Sequence, residues 1–297
     1  MSRPAVSLRF ARPPAALRFY PRAVLARRAA NVPAGATVPR LEGEIEVVSP
    51  SVGHLRRYRE VCGFPADARL PLTYPHVLAM PLHMALLTDE AFVVRLMGLV
   101  HIANTIEWLR PLRPERPLRI RAWVEGHRDG DRGQEFDLWT ECEDGDGVAW
   151  RESSTLLARR RTGGASAARS AREALRQPRP GAGAIVAEVP IEAGREVGRR
   201  YGWVSADLNP IHLADWGARR FGFERAVAHG MWSMARSLAA LGPGLGPPCR
   251  IDVEFKLPLF LGTTPRLQHW REGGGWTFVL KDAQGQRPHL AGVARAD

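Results

Sequence analysis

The chain has 297 residues, 45% of them apolar, and a formal net charge of +11. That length fits one large domain or two ordinary ones, and the apolar share is that of a globular protein with its own core. No uninterrupted apolar run reaches membrane-spanning length, and three scattered cysteines (Cys62, Cys142, Cys249) form neither a disulfide framework nor a zinc set, which points to a reducing, cytoplasmic setting.

Nearly all the positive charge is arginine; Lys256 and Lys281 are the only lysines. The planar guanidinium fork suits phosphates and acidic partners. The arginines are dispersed, without zinc-finger spacing or an RNA-binding signature, which argues against nucleic acid.

Residues 1–40 are rich in arginine and proline and contain no acidic residue before Glu42. They read either as a basic, acid-poor transit segment or as a partly helical arm packed on the body through 17–20 and 24–26; the arm is preferred. Residues 44–48 read as a strand and 55–62 as an amphipathic helix stopped by Gly63. The run 72–80 leads through Pro81 into an apolar helix over 82–92. Strands are expected over 99–108, 118–126, 135–142 and 148–159, the later ones separated by Asp/Gly turn clusters. Residues 159–183 mix Arg, Gly, Ala, Ser and Pro with little core pattern and read as a linker, with a short helix at 167–175.

The second half repeats the first. Residues 56–64 align with 199–207, both opening Arg-Arg-Tyr; 79–85 align with 229–235, both ending Met-Ala; and 106–112 align with 253–259. The chain therefore divides into an arm (1–40), a first unit (41–158), a linker (159–183) and a second unit (184–297). In the second unit 231–241 reads as a buried helix, 242–248 as a turn into a strand over 250–257, and 273–275 as a hairpin turn. Trp216 and 221–223 are expected to anchor the preceding loop in the core. Arg219 and Arg220 are candidates for a phosphate, although solvated arginines are the plainer reading.

Chemistry concentrates in one stretch. Asp207, Asn209 and His212 lie within a few residues on a segment that Pro210 keeps from being one continuous helix. A carboxylate and an imidazole facing one water form a general acid/base pair. The competing reading is turn and N-cap grammar, because short polar side chains bind nearby backbone amides. Gly230 opens the helix that follows, and a helix start exposes N–H groups able to hold a developing oxyanion. The first unit has Phe64 where the second has Asp207, and Met80 where it has Gly230. His76 and His83 lie near the first central helix and are read as packing residues.

Asp207-x-Asn209-Pro210-x-His212 followed by Ala228-His229-Gly230-Met231 resembles the signature of the MaoC-like dehydratases, the (R)-specific or type 2 enoyl-CoA hydratases. One departure is Ala206, where that family usually has glycine. The resemblance implies an α+β tandem hot-dog fold, each unit a sheet wrapped around a central helix. It implies reversible hydration of trans-2-enoyl thioesters in fatty-acid metabolism. Asp207 and His212 would share the water and the proton, Asn209 would orient them, and the Gly230 N–H would face the thioester oxygen. Leu78, Met80 and Leu82 of the degenerate unit would line an acyl tunnel, with ordinary core as the alternative. No metal or cofactor is implied. The substrate would be carried on coenzyme A or an acidic acyl carrier protein, by a monomer or homodimer. A hot-dog thioesterase and a non-catalytic acyl-thioester binding subunit are the rival readings.

Overall fold

The computed structural model describes residues 5–160, 177–182, 184–242 and 244–296. Its strands are β1 (Val6–Phe10), β2 (Leu41–Val48), β3 (Leu99–Trp108), β4 (Leu118–Val124), β5 (Arg128–Gly130), β6 (Gly133–Asp144), β7 (Gly147–Arg159), β8 (Ala187–Pro190), β9 (Cys249–Phe255), β10 (Arg266–Glu272), β11 (Gly275–Lys281) and β12 (Pro288–Ala296). They join in one sheet in the order β1-β2-β4-β6-β7-β3-β9-β12-β11-β10-β8, with β5 beside β6. All described pairs are antiparallel except β1 with β2.

The halves meet where β3 pairs β9. Aligning 106 with 253 makes Thr105 the equivalent of Asp252, and these two are register partners whose side chains hydrogen-bond at 2.8 Å. Tyr58 and Tyr201, equivalent in the first aligned block, also approach each other, with ring centroids 6.3 Å apart. Trp232 donates its indole N–H to the Val61 carbonyl (2.8 Å), a further tie between the halves.

Each half wraps its strands around a helix: α3 (Tyr74–Leu87) in the first, and the helix Gly230–Ala240 in the second. The helix α3 is apolar on almost every side, which suits an element enclosed by sheet. It begins eight residues before the expected 82–92 and ends five before it. Pro75 occupies its first turn, whereas Pro81 lies inside it. Proline there removes a hydrogen bond to the preceding turn, but the full burial of Leu82 and Leu86 holds the helix together across it.

The helix α2 (Val52–Cys62) starts on Ser51, whose hydroxyl accepts the His54 N–H, and ends at Gly63, where φ is +75°. Residues 161–176 and 183, including the helix expected at 167–175, lie outside the described residues.

The arm is more than helical. The strand β1 adds to the sheet edge, a 3-10 turn spans Ala16–Phe19, and α1 spans Tyr20–Leu25. Phe19 and Ala23 are buried against Met84 and Ala85 of α3. Leu17, Val24 and Leu25, expected to pack, are exposed, because this short element rests on the body through one face only. Arg28 donates to the carbonyls of Leu87, Thr88 and Phe92 (2.6–3.1 Å), closing the carboxyl end of α3.

Candidate active site

Four short helices carry the motif: α4 (Val197–Ser205), α5 (Pro210–Leu213), α6 (Asp215–Arg220) and α7 (Gly230–Ala240). The first ends at Ala206, whose backbone is left-handed (φ 58°, ψ 16°) and turns the chain toward Asp207. Ser205 Oγ accepts the Asp207 N–H, and Asp207 Oδ1 accepts the Asn209 N–H, both at 3.2 Å. Asn209 caps α5 through its side chain, which accepts the Ile211 N–H at 3.4 Å. The cap reading and the site reading of this stretch thus coexist, and Asn209 orients Asp207 through its backbone.

Two glycines on α4, one turn apart, make room for the motif. A Cβ at Gly198 would lie 1.9 Å from the His212 carbonyl oxygen, and one at Gly202 would lie 3.0 Å from that of Asp207. The return strand is fixed by Val227, which donates its N–H to Ile211 O, and by Asp215, which accepts the Ala226 N–H. Trp216 and Phe221 do not anchor this loop; both are exposed. Gly217 does so instead, where a Cβ would lie 2.4 Å from the Pro210 carbonyl. Arg219 and Arg220 face solvent.

Asp207 Oδ2 lies 3.9 Å from His212 Nε2 and 3.8 Å from His229 Nε2. Those gaps are too long for direct hydrogen bonds, and one oxygen atom could hydrogen-bond to both Oδ2 and the His212 ring. The His212 Nδ1–H donates to Val227 O at 2.8 Å, which fixes the tautomer and leaves Nε2 as an acceptor toward Asp207. His229 stacks on His212 at 3.7 Å between centroids and donates from Nε2 to Asp207 O at 3.0 Å.

Burial pushes His212 below the ordinary histidine range, with Asp207 opposing, and pushes His229 down to about 3. For Asp207 burial acts upward, but His229, His212 and the Asn209 N–H outweigh it and hold the carboxyl low. A carboxylate and neutral imidazoles result at neutral pH. About a third of the Asp207 side chain stays accessible (34%) although desolvation is its largest perturbation, so it lines a recess. The ligand atoms of Asp207, His212 and His229 lie within 4.8 Å of one another. With His229 Nε2 committed to a carbonyl, that side offers fewer free donors than a zinc site takes.

Gly230 is the first residue of α7, so its N–H has no acceptor within the helix. It is not fully buried, and a Cβ there would press on the Phe255 ring at 3.2 Å.

The first half brings different chemistry nearby. Glu152, fully buried, accepts from His76 Nδ1 (2.8 Å) and Asn104 Nδ2 (2.7 Å). His83 bonds Thr140 at 2.8 Å. A bulge between His101 and Ala103 turns His101 inward, where it packs 4.8 Å from Phe255. Burial acts against protonation of His76, but the Glu152 charge prevails and its pKa is raised. His76 and His83 are both buried and hydrogen-bonded, to Glu152 and Thr140, whereas Glu152 and Asn104 were not singled out from the sequence. Glu152 alternates in phase with buried Trp150 and Ser154, the signal that could have marked it as inward-facing. Of the acyl-tunnel candidates, Leu82 is fully buried and packs over Gly43 of β2. Met80 packs beside Phe19 and Met84, and Leu78 is half-buried against the main core.

With this geometry in place, comparison with known proteins adds the family. The MaoC like domain model matches residues 180–289. A 3-hydroxyacyl-thioester dehydratase X of Mycobacterium tuberculosis is 30% identical over 265 residues, 89% of this chain and 92% of the relative. The crystal structure of HtdX from Mycobacterium tuberculosis superposes with a TM-score of 0.72 at 30% identity, covering 86% of this chain and 99% of that one. A MaoC-like dehydratase from Phytophthora capsici shares the fold at a TM-score of 0.66 and 19% identity, covering 87% and 95%. The tandem hot-dog architecture, the motif geometry and this identity along most of the chain agree: the protein belongs to the MaoC-like dehydratase family.

Proposed function

We infer that the chain is a hydro-lyase that interconverts trans-2-enoyl and (R)-3-hydroxyacyl thioesters in fatty-acid metabolism. Family membership and the dehydratase relative support the reaction class. The observation that carries it is the Asp207 carboxylate 3.9 Å from the ring of His212, whose Nδ1–H is tied to the Val227 carbonyl.

A water held between Asp207 Oδ2 and His212 Nε2 gives its oxygen to C3 of the enoyl thioester. The pair takes the proton released and returns it to C2, so C3–O and C2–H form on one face as one O–H bond and the C2=C3 π bond break. The Gly230 N–H, at the positive end of α7, stabilises the enolate oxygen between these steps. The thioester carbonyl itself acidifies C2, so the chemistry draws on no metal or cofactor. Leu78 and Met80 keep accessible surface and remain the acyl-wall candidates. The net charge of +11 suits either coenzyme A phosphates or an acidic carrier protein. The scarcity of cysteine, three in 297 residues and too few for a disulfide framework, favours a reducing, cytoplasmic setting; among the described residues no helix is long and apolar enough to cross a membrane.

Crotonyl-CoA mixed with the protein should lose its enoyl absorbance without releasing thiol. Asp207→Asn and His212→Ala should each lower kcat by about a hundredfold to ten-thousandfold while leaving the thermal midpoint near that of the parent. Free thiol would mean hydrolysis, saturable binding without turnover a binding subunit, and full activity in both variants a misplaced site.

A further inference from the structure

We propose that Tyr20, in the amino-terminal arm, is a positioning residue for the reaction, its hydroxyl clamping the left-handed turn that presents Asp207. The proposal rests on the assignment of Asp207 made above. The Tyr20 O–H donates to the Ala206 carbonyl at 2.9 Å, and the same oxygen accepts the Leu208 N–H at 2.5 Å. One hydroxyl, both donor and acceptor, therefore spans the backbone on either side of Asp207.

The turn needs such a clamp. Ala206 is the one non-glycine with positive φ among the described residues. In the left-handed region the Cβ of an L-residue crowds the following carbonyl, a conflict glycine avoids. The other side of the turn is held by the His229 Nε2–H on Asp207 O and by Ser205 Oγ under the Asp207 N–H. Tyr20 supplies the outer side, 186 residues away in sequence from the carbonyl it holds. Its own position is set by Phe19 and Ala23, buried against α3. Burial and the neighbouring Asp207 charge raise its pKa, so the phenol stays protonated and able to donate. Without the hydroxyl, Ala206 can relax toward ordinary backbone and swing the carboxylate away from His212.

The test compares the parent, Tyr20→Phe, Ala206→Gly and the double variant by steady-state kinetics with crotonyl-CoA and by thermal midpoint. Tyr20→Phe should lower kcat by about 10- to 100-fold, the scale of a small misplacement of a reacting group, with KM little changed. In the Ala206→Gly background the same change should cost no more than about threefold, because glycine holds a left-handed turn unaided. A stabilising role alone would lower the midpoint in both backgrounds and spare kcat. The proposal is overturned if Tyr20→Phe keeps the parent kcat, or if its loss is equal in both backgrounds. Should Tyr20→Phe alone fail to fold, the double variant decides: kcat near that of Ala206→Gly supports the clamp, and a large loss overturns it. Activity surviving Asp207→Asn would instead defeat the assignment of the site, a separate failure.

Discussion

Charge at the proposed reaction centre is set residue by residue by what surrounds two side chains. Asp207 is held below its usual carboxylate range by His229, His212 and the Asn209 N–H acting against burial, and His212 is held below its own range by burial. At neutral pH this leaves a carboxylate and a neutral imidazole, the forms the proposed reaction uses. The expected kcat/KM profile is flat down through the ordinary histidine value of about 6.5 and falls only on the acid side of it. An acid limb at or above that value, read from crotonyl-CoA rates, would contradict the charge assignment. That Asp207 and His212 approach each other and that Gly230 opens a helix was legible, because they share a short motif with a turn and a helix start. Tyr20 and Glu152 were not, since their meaning comes from partners 186 and 76 positions distant. A local pattern cannot reveal such pairings.

Among the elements, the fit of α4 against the motif decides whether the carboxylate and imidazole meet. Gly198 gives the closest approach, since a methyl there would overlap the His212 carbonyl at 1.9 Å. Gly198→Ala should therefore push α5 outward, destabilise by about 1–3 kcal/mol as overpacking does, and cut kcat at least tenfold. Denaturant melts and crotonyl-CoA rates check both; parent-like values in each would show that α5 yields without consequence. The strands β2, β3, β4, β6, β7 and β9 were readable because alternation on a half-buried surface is a direct imprint of the pleat, whereas β1, β5, β8, β10, β11 and β12 were not read as strands. The central helix α3 was misplaced because Pro81 reads as a helix start while the surrounding core keeps it mid-helix. Trp216 and Phe221 misled for a related reason: aromatic character marks burial only on average, and here a glycine makes the anchor.

Across the whole molecule, buried histidines set where the response to acid begins. Burial is the largest cause lowering His54, His83, His101, His212, His229, His269 and His289, with His83 and His229 at about 3 and His101 at about 4. Each of these takes up its proton in the unfolded chain first. The stability they allow is complete above the unfolded value of about 6.5 and drains away as pH falls toward the folded values. Glu152 and Asp207, lowered in the fold, add to the loss on the acid side, whereas His76, raised, stabilises at low pH and loses that contribution as pH rises. Urea midpoints should decline from about pH 6.5 downward, before most carboxylates protonate; a constant midpoint down to pH 4 would refute this balance.

The pairing of Thr105 with its own repeat equivalent, Asp252, has a consequence for how the two halves can diverge. In a symmetric pair of separate subunits every substitution arrives twice, and whatever suits one reaction centre is imposed on its twin. Joined in a single polypeptide, each half is free to change alone. Extending the alignment of 79 with 229 sets His76 opposite Ala226, so the buried His76–Glu152 ion pair has been installed on one side only. Such lopsidedness is open to a fused chain and closed to a homodimer.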